Sequence, residues 1–258
     1  MRRLANLTYP SENGRKLAGP LPARRQGARG RAARNPRPPR GRWRRYSKEE
    51  FGPRAATFAR YGYVVVAPNY TLSAPGRASW PANFQDVQAS VRWIRANASK
   101  YSIDPGRIAA VGESAGAHLA ELLGARSDRS NRSGSNVRAV VALAGPSDLT
   151  TLGRESLQGA GLAVSQMVGG SEARFPQLYR EASPVYRVTA SSAPMMLIHG
   201  IYDQLVPPAQ SDELERALMA VGVDSERIAV PAAHALTFQV GGRNLVPPIL
   251  AFLKRTLA

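Results

Sequence analysis

The sequence predicts one α/β domain, a mostly parallel central sheet with helices on both faces, behind an abnormal basic N-terminal segment. Three observations carry this. From Tyr61 onward, short β-branched runs alternate with amphipathic stretches, the pattern of a parallel sheet covered on both sides. The chain has 258 residues, enough for one such domain to bury a full core. Charge is also unevenly placed: residues 1–54 hold 16 Lys/Arg against 3 Asp/Glu, and the other 204 hold 19 against 15. The net charge of +17 therefore describes an arm and not the fold. The expected division is an Arg/Pro-rich segment over 1–46 and the domain over 47–258.

The elements follow in order. Residues 63–67, Tyr-Val-Val-Val-Ala, read as a buried strand closed by Pro68-Asn69-Tyr70. Phe84, Val87, Val91 and Ile94 recur at helical spacing and predict a helix over 83–100. Ile103-Asp104-Pro105-Gly106 is a turn, and 107–111 the next strand. A helix is expected from Ser114 to Leu123, stopped by Gly124. Strands are expected at 137–144, 195–198 and 227–230, with helices at 208–221 and 247–257. Residues 150–190 are less regular and predict loops or a small cap. No internal repeat is visible.

Composition closes off several chemistries. Cysteine is absent, which removes disulfides and thiolate metal sites. Three scattered histidines do not make a metal cluster, so neither metal nor cofactor is expected. No apolar run reaches the length of a membrane span. Met1-Arg2-Arg3-Leu4 is followed by no apolar h-region, so the expected location is cytoplasmic. The sequence carries no signal for oligomeric state.

Gly112-Glu113-Ser114-Ala115-Gly116 is a G-x-S-x-G pentapeptide between an expected strand and an expected helix. In that context the serine sits on a sharp strained turn, and side chains at either glycine are expected to collide with the strand and helix. The bland alternative is a small-residue turn in a Gly/Ala-rich chain; the junction argues against it. The N–H of Ala115, at the helix N-terminus, is the expected oxyanion donor. A serine nucleophile needs an acid and then a histidine downstream. Asp203 follows the 195–198 strand in His199-Gly200-Ile201-Tyr202-Asp203, and His234 follows the 227–230 strand. In this reading His234 takes the Ser114 proton, and Asp203 holds the imidazole tautomer. His118 reads as a packing residue of the nucleophile helix, and His199 as a support of the acid loop. Asp86 and Asp104 precede the serine and break the order; Asp148 is the fallback acid.

Four segments carry a resemblance. Residues 62–70, Trp93-Ile94-Arg95-Ala96-Asn97, residues 103–108 and residues 112–120 are similar to the carboxylesterase group related to hormone-sensitive lipase and to feruloyl and acetyl-xylan esterases. Residues 199–207 resemble that group's acid loop. The likeness spans roughly 47–258 and implies the α/β-hydrolase fold, ester hydrolysis through an acyl-Ser114 intermediate, and a small-molecule ester substrate of simple or carbohydrate-linked type. Ala117 stands where the group usually has a second glycine, and Thr71 where an arginine is common. The acyl pocket is expected from residues 70–80 and 145–190.

One departure is larger. The group carries His-Gly-Gly-Gly-Trp upstream, whose N–H groups complete the oxyanion hole, and this chain does not. In its place residues 17–46 hold ten Arg, five Pro and no acid. That composition cannot make a buried strand. A one-base shift of reading frame accounts for it. Read from the second base of the Gly19 codon, the codons of Gly19-Pro20-Leu21-Pro22-Ala23 permit Asp-Leu-Tyr-Leu-Pro. Those of Arg34-Asn35-Pro36-Arg37-Pro38 permit Val-Ile-Leu-Val-Leu. From Pro39 they permit His-Gly-Gly-Gly, if one base is missing just before Trp43. The alternative is a genuine basic arm. Ten arginines could neutralise phosphates, but Trp43 is the one aromatic among residues 19–45, which disfavours nucleic-acid readout by stacking. The rival functions are thus an exopeptidase or amidase of the same fold, or a catalytically impaired relative with a nucleic-acid-binding arm.

Overall fold

The computed structural model describes residues 43–44, 52–126 and 134–258. Apart from Trp43 and Arg44, the segment 1–46 lies outside the described residues, and so does the stretch on which the frame-shift reading falls. In chain order the elements are α1 (Gly52–Arg60), α2 (Ala82–Ala96), α3 (Ala98–Tyr101), β1 (Ala109–Glu113), α4 (Ala115–Ala125), β2 (Ala139–Leu143), α5 (Leu149–Glu155), α6 (Ala160–Val168) and α7 (Pro176–Ala182). A 3-10 turn (Pro184–Arg187), β3 (Met195–Gly200), α8 (Ala209–Ala220), β4 (Ser225–Val230), β5 (Gln239–Val240), β6 (Arg243–Asn244) and α9 (Val246–Thr256) follow.

β1 to β4 form one parallel sheet in the order β1-β2-β3-β4. Each crossover is helical: α4 joins β1 to β2, α5 to α7 join β2 to β3, and α8 joins β3 to β4. The two-residue periodicity of a strand then divides its side chains between two cores. Val140, Ala142, Met195 and Leu197 face α2, α4, α8 and the α5–α7 layer. Val141, Leu143, Met196 and Ile198 face α1 and α9, where Phe58, Ile249 and Phe252 close the opposite core. β2 and β3 are buried along their whole lengths, as expected for the inner strands of a sheet covered on both sides.

Two expectations are corrected and a third is refined. Residues 63–67 run without strand assignment and are only partly buried. A strand exists through its ladder, and among the described residues β1, at the edge of the sheet, pairs with β2 alone. The upstream residues that would extend the sheet lie in the Arg/Pro-rich stretch. Gly124 does not stop the nucleophile helix, which continues to Ala125. A Cβ on Gly124 would lie 2.5 Å from Val140 Cγ2 and 2.9 Å from Met195 Cε, so this glycine lets α4 lie close on β2 and β3. Residues 150–190, expected as loops or a small cap, carry three short helices, α5, α6 and α7, joined by loops. Gly153 and Gly161 permit α5 and α6 to touch, since a Cβ on Gly161 would come within 3.0 Å of Gly153 Cα.

Candidate active site

Ser114 occupies the step from β1 into α4 with φ 52° and ψ −120°. Left-handed φ on a non-glycine residue costs roughly 1–3 kcal/mol, so surrounding contacts must impose it. They do: Ser114 N–H donates to Leu143 O at the end of β2 (2.8 Å), and Ser114 O accepts from His118 N–H (3.0 Å) inside α4. Gly112 is obligatory because a Cβ there would lie 2.2 Å from Gly116 O and 2.5 Å from Ala117 N. Gly116 departs from expectation. A Cβ there meets nothing within 4 Å among the described residues, so the two glycines are not equivalent. Gly116 supplies the backbone that Gly112 must avoid.

The structure brings Ser114, His234 and Asp203 together from three loops at the carboxyl ends of β1, β4 and β3. Ser114 Oγ lies 2.8 Å from His234 Nε2, and His234 Nδ1 lies 2.7 Å from Asp203 Oδ2. A carboxylate only accepts, so Nδ1 carries the proton and Nε2 is free to accept from the serine hydroxyl. Asp203 is buried, and its Oδ1 accepts the N–H groups of Leu205 and Val206, each at 2.9 Å. Burial raises its pKa, but hydrogen bonds from His199, His234 and the Val206 backbone outweigh that and hold it well below the usual carboxylate range. Ala115, directly after Ser114, opens α4. A first-turn amide has no acceptor within its own helix and remains available to an oxyanion.

The other histidines and acids find separate places. His118 Nε2 faces Ala182 O (2.7 Å), and His118 Nδ1 faces the Trp43 indole N–H (3.2 Å). Those partners require the neutral Nε2–H tautomer, and burial pulls its pKa down to about 4. His199 Nε2 donates to Val206 O (2.8 Å) while Nδ1 accepts from Ser211 Oγ (2.5 Å), so His199 braces the acid loop. Asp148 is committed elsewhere: it caps α5 through Thr150 N–H (2.8 Å) and accepts from Tyr186 Oη (2.8 Å). Asp104 accepts from Gly106 N–H within its turn. Asp86 is fully buried, with Oδ2 on Thr71 N–H (2.8 Å) and Thr71 Oγ1 (2.6 Å). Its Oδ1 has no hydrogen-bond partner among the described residues. Asp86 is thus the group beside which an arginine at position 71 would stand.

Sequence reasoning missed two features. Trp43 is not a free residue of the arm. It is 3 % exposed, packs edge-on against His118 (ring centroids 5.3 Å apart), and its carbonyl accepts from Ser73 N–H (2.9 Å). Its signal was its position directly before the domain-like sequence. Glu113, the variable residue of the pentapeptide, meets Arg54 and the backbone of Leu236. A carboxylate in that position gives no sign of its partner. A cavity of about 180 Å³ lies in the cap, lined by Leu149, Gly153, Val164 and Tyr179 among others, and none of the three relay residues lines it. Among the described residues there is no group of His, Asp and Glu arranged to hold a metal ion. No helix there is long and apolar enough to cross a membrane.

The chain is similar to known proteins. Esterase LipQ of Mycobacterium tuberculosis is 31% identical over 189 residues, covering 70% of this chain and 44% of LipQ; the chain thus spans less than half the length of this relative. A solved bifunctional GH43-CE protein of Bacteroides eggerthii superposes with a TM-score of 0.73 at 28% identity, over 84% of this chain and 30% of that one. A truncated carbohydrate esterase from gut microbiota gives a TM-score of 0.63 at 25% identity, over 74% of this chain and 73% of that one. The fold is that of the α/β-hydrolases, and residues 41–218 match the BD-FAE family. This chain belongs to the BD-FAE family, within the α/β-hydrolase fold.

Proposed function

We propose that this protein hydrolyses carboxylic esters of small or carbohydrate-linked substrates through an acyl intermediate on Ser114, without metal or cofactor. The continuous relay from Ser114 Oγ through His234 to Asp203 Oδ2 carries the reading. Similarity to an esterase and a carbohydrate esterase supports the substrate class. In the first half-reaction His234 Nε2 takes the hydroxyl proton as Ser114 Oγ adds to the ester carbonyl. Asp203, ionised and buried, stabilises the imidazolium through Nδ1–H. The Ala115 N–H receives the developing oxyanion. His234 then returns its proton to the departing alcohol, and water repeats the sequence to release the acid.

A fluorophosphonate probe tests the nucleophile. The wild-type chain is expected to label, and Ser114→Ala to lose both labelling and hydrolysis of a p-nitrophenyl ester. Labelling that survives Ser114→Ala sinks the assignment. Faster turnover of an anilide than of the matching ester would replace the esterase reading with the amidase one.

A further inference from the structure

His234 sits in the loop after β4, and a loop imidazole holds its angle only if the backbone on both sides is fixed. On one side the end of β3 fixes it. Ile201 N–H donates to Val230 O (2.9 Å), and Tyr202 N–H donates to Ala232 O (3.0 Å). A Cβ on Gly200 would lie 2.3 Å from Ala232 O, so the two backbones are in direct contact. On the other side the loop is held by side chains. Leu236 N–H donates to Glu113 Oε1 (3.2 Å), and Leu236 O accepts from Arg54 Nη2 (2.5 Å). Arg54 Nη2 also meets Glu113 Oε2 (2.5 Å), which closes a ring of three groups. His234 is the midpoint of a span pinned at residues 232 and 236.

Placement argues that this ring serves geometry. Glu113 is the last residue of β1 and immediately precedes Ser114, so one residue is joined to both the nucleophile and the loop of the base. The side chains of Arg54 and Glu113 are 19% and 25% exposed, so the ring is largely shielded from water and can hold one geometry. Arg54 reaches the base loop from α1, which packs on the opposite core.

We propose that Glu113 and Arg54 are positioning residues, which set the distance and angle of His234 Nε2 to Ser114 Oγ. This rests on the hydrolase reading above. The test uses the full chain and its variants Glu113→Ala, Glu113→Gln, Arg54→Ala and the double alanine variant. Three quantities are read: kcat and KM on p-nitrophenyl acetate, the rate of fluorophosphonate labelling, and the melting temperature. Displacement of a reacting group by about 1 Å can cost roughly 10²-fold, so Glu113→Ala is expected to lower kcat and labelling about 10- to 10²-fold with KM within about twofold. Glu113→Gln keeps an acceptor for Leu236 N–H and is expected to recover most of the rate. The double variant is expected to be no slower than either single one, because both cut the same ring. Unchanged kcat and labelling in Glu113→Ala, in a wild type that labels at Ser114, overturn the positioning role alone. So does a glutamine variant as slow as the alanine one with a melting temperature lowered equally, which would mark a purely structural pair. A wild type that does not label at all overturns the hydrolase reading and this one with it.

Discussion

Two buried ionisable residues on α4 lean in opposite directions. Burial raises the Glu121 carboxyl from 4.5 to about 8, while burial lowers His118 from 6.5 to about 4 against a smaller opposing effect of its bond to Ala182 O. Glu121 fills the space above Gly145, where a Cβ would lie 2.0 Å from Glu121 Oε1, and its Oε2 has no hydrogen-bond partner among the described residues. The signs follow from which state holds the proton. Folded Glu121 keeps a proton that the unfolded chain releases above about 4.5, so its contribution is full below that pH and is lost as pH rises through about 8. Unfolded His118 gains a proton below about 6.5 that the folded state refuses until about 4, so its effect destabilises on acidification across that window. Between about 6.5 and 8 only the Glu121 slope remains of these two. The melting temperature of Glu121→Gln, compared with wild type, is expected to lose that downward slope and to lie above wild type at pH 9. Parallel profiles for the two proteins would place an ordinary carboxylate at position 121.

At the scale of elements, the strand–turn–helix of β1, Ser114 and α4 depends on glycines of unequal worth. A Cβ on Gly112 collides with backbone atoms of Gly116 and Ala117, which have no flexible end to move aside. Gly112→Ala is expected to cost about 1–3 kcal/mol, as overpacking does, and to abolish labelling of Ser114. Gly116→Ala meets open space among the described residues and is expected to retain the fold with a much smaller loss. Thermal melts and labelling of both variants check this; equal losses would mean that small size, and not the close approach at residue 112, governs the turn. The same reasoning explains why Gly124 misled a reading based on helix stop signals. Glycine ends a helix when its φ is positive, but glycine inside a helix can equally mark where another element comes close.

At the scale of the molecule, the open question is where the second oxyanion donor comes from. The match to BD-FAE begins at residue 41, and Trp43 is already packed in the core, so domain-like sequence starts two residues before the tryptophan. Trp43 is anchored to His118, one turn of α4 beyond Ser114. In the frame-shift reading, His-Gly-Gly-Gly would run directly into Trp43. Sequencing codons 15 to 48 is expected to show third bases that spell those residues. A repaired chain is then expected to gain roughly 10²–10³-fold in kcat, the usual value of one oxyanion donor. Third bases that spell something else would make the basic arm genuine, and salt-dependent retention on DNA would then measure its affinity for phosphate.

Order and spacing in the chain carried the helix–strand alternation and singled out Ser114, His234 and Asp203, each within hydrogen-bond distance of the next, and His199 as a support of the acid loop. Each is a local pattern: apolar period, a glycine-flanked serine after a strand, an acid and a histidine each following a strand. By composition, residues 17–46 were expected to supply no buried strand. Only the tertiary structure decided that 63–67 joins no strand among the described residues, that Gly124 is a contact and not a stop, that Asp148 is taken by Tyr186, and that Glu113 and Arg54 meet Leu236 in the base loop. The last of these rests on residues that meet across 59 to 182 positions of chain. Such meetings are set by packing between elements, and neither period nor propensity records them.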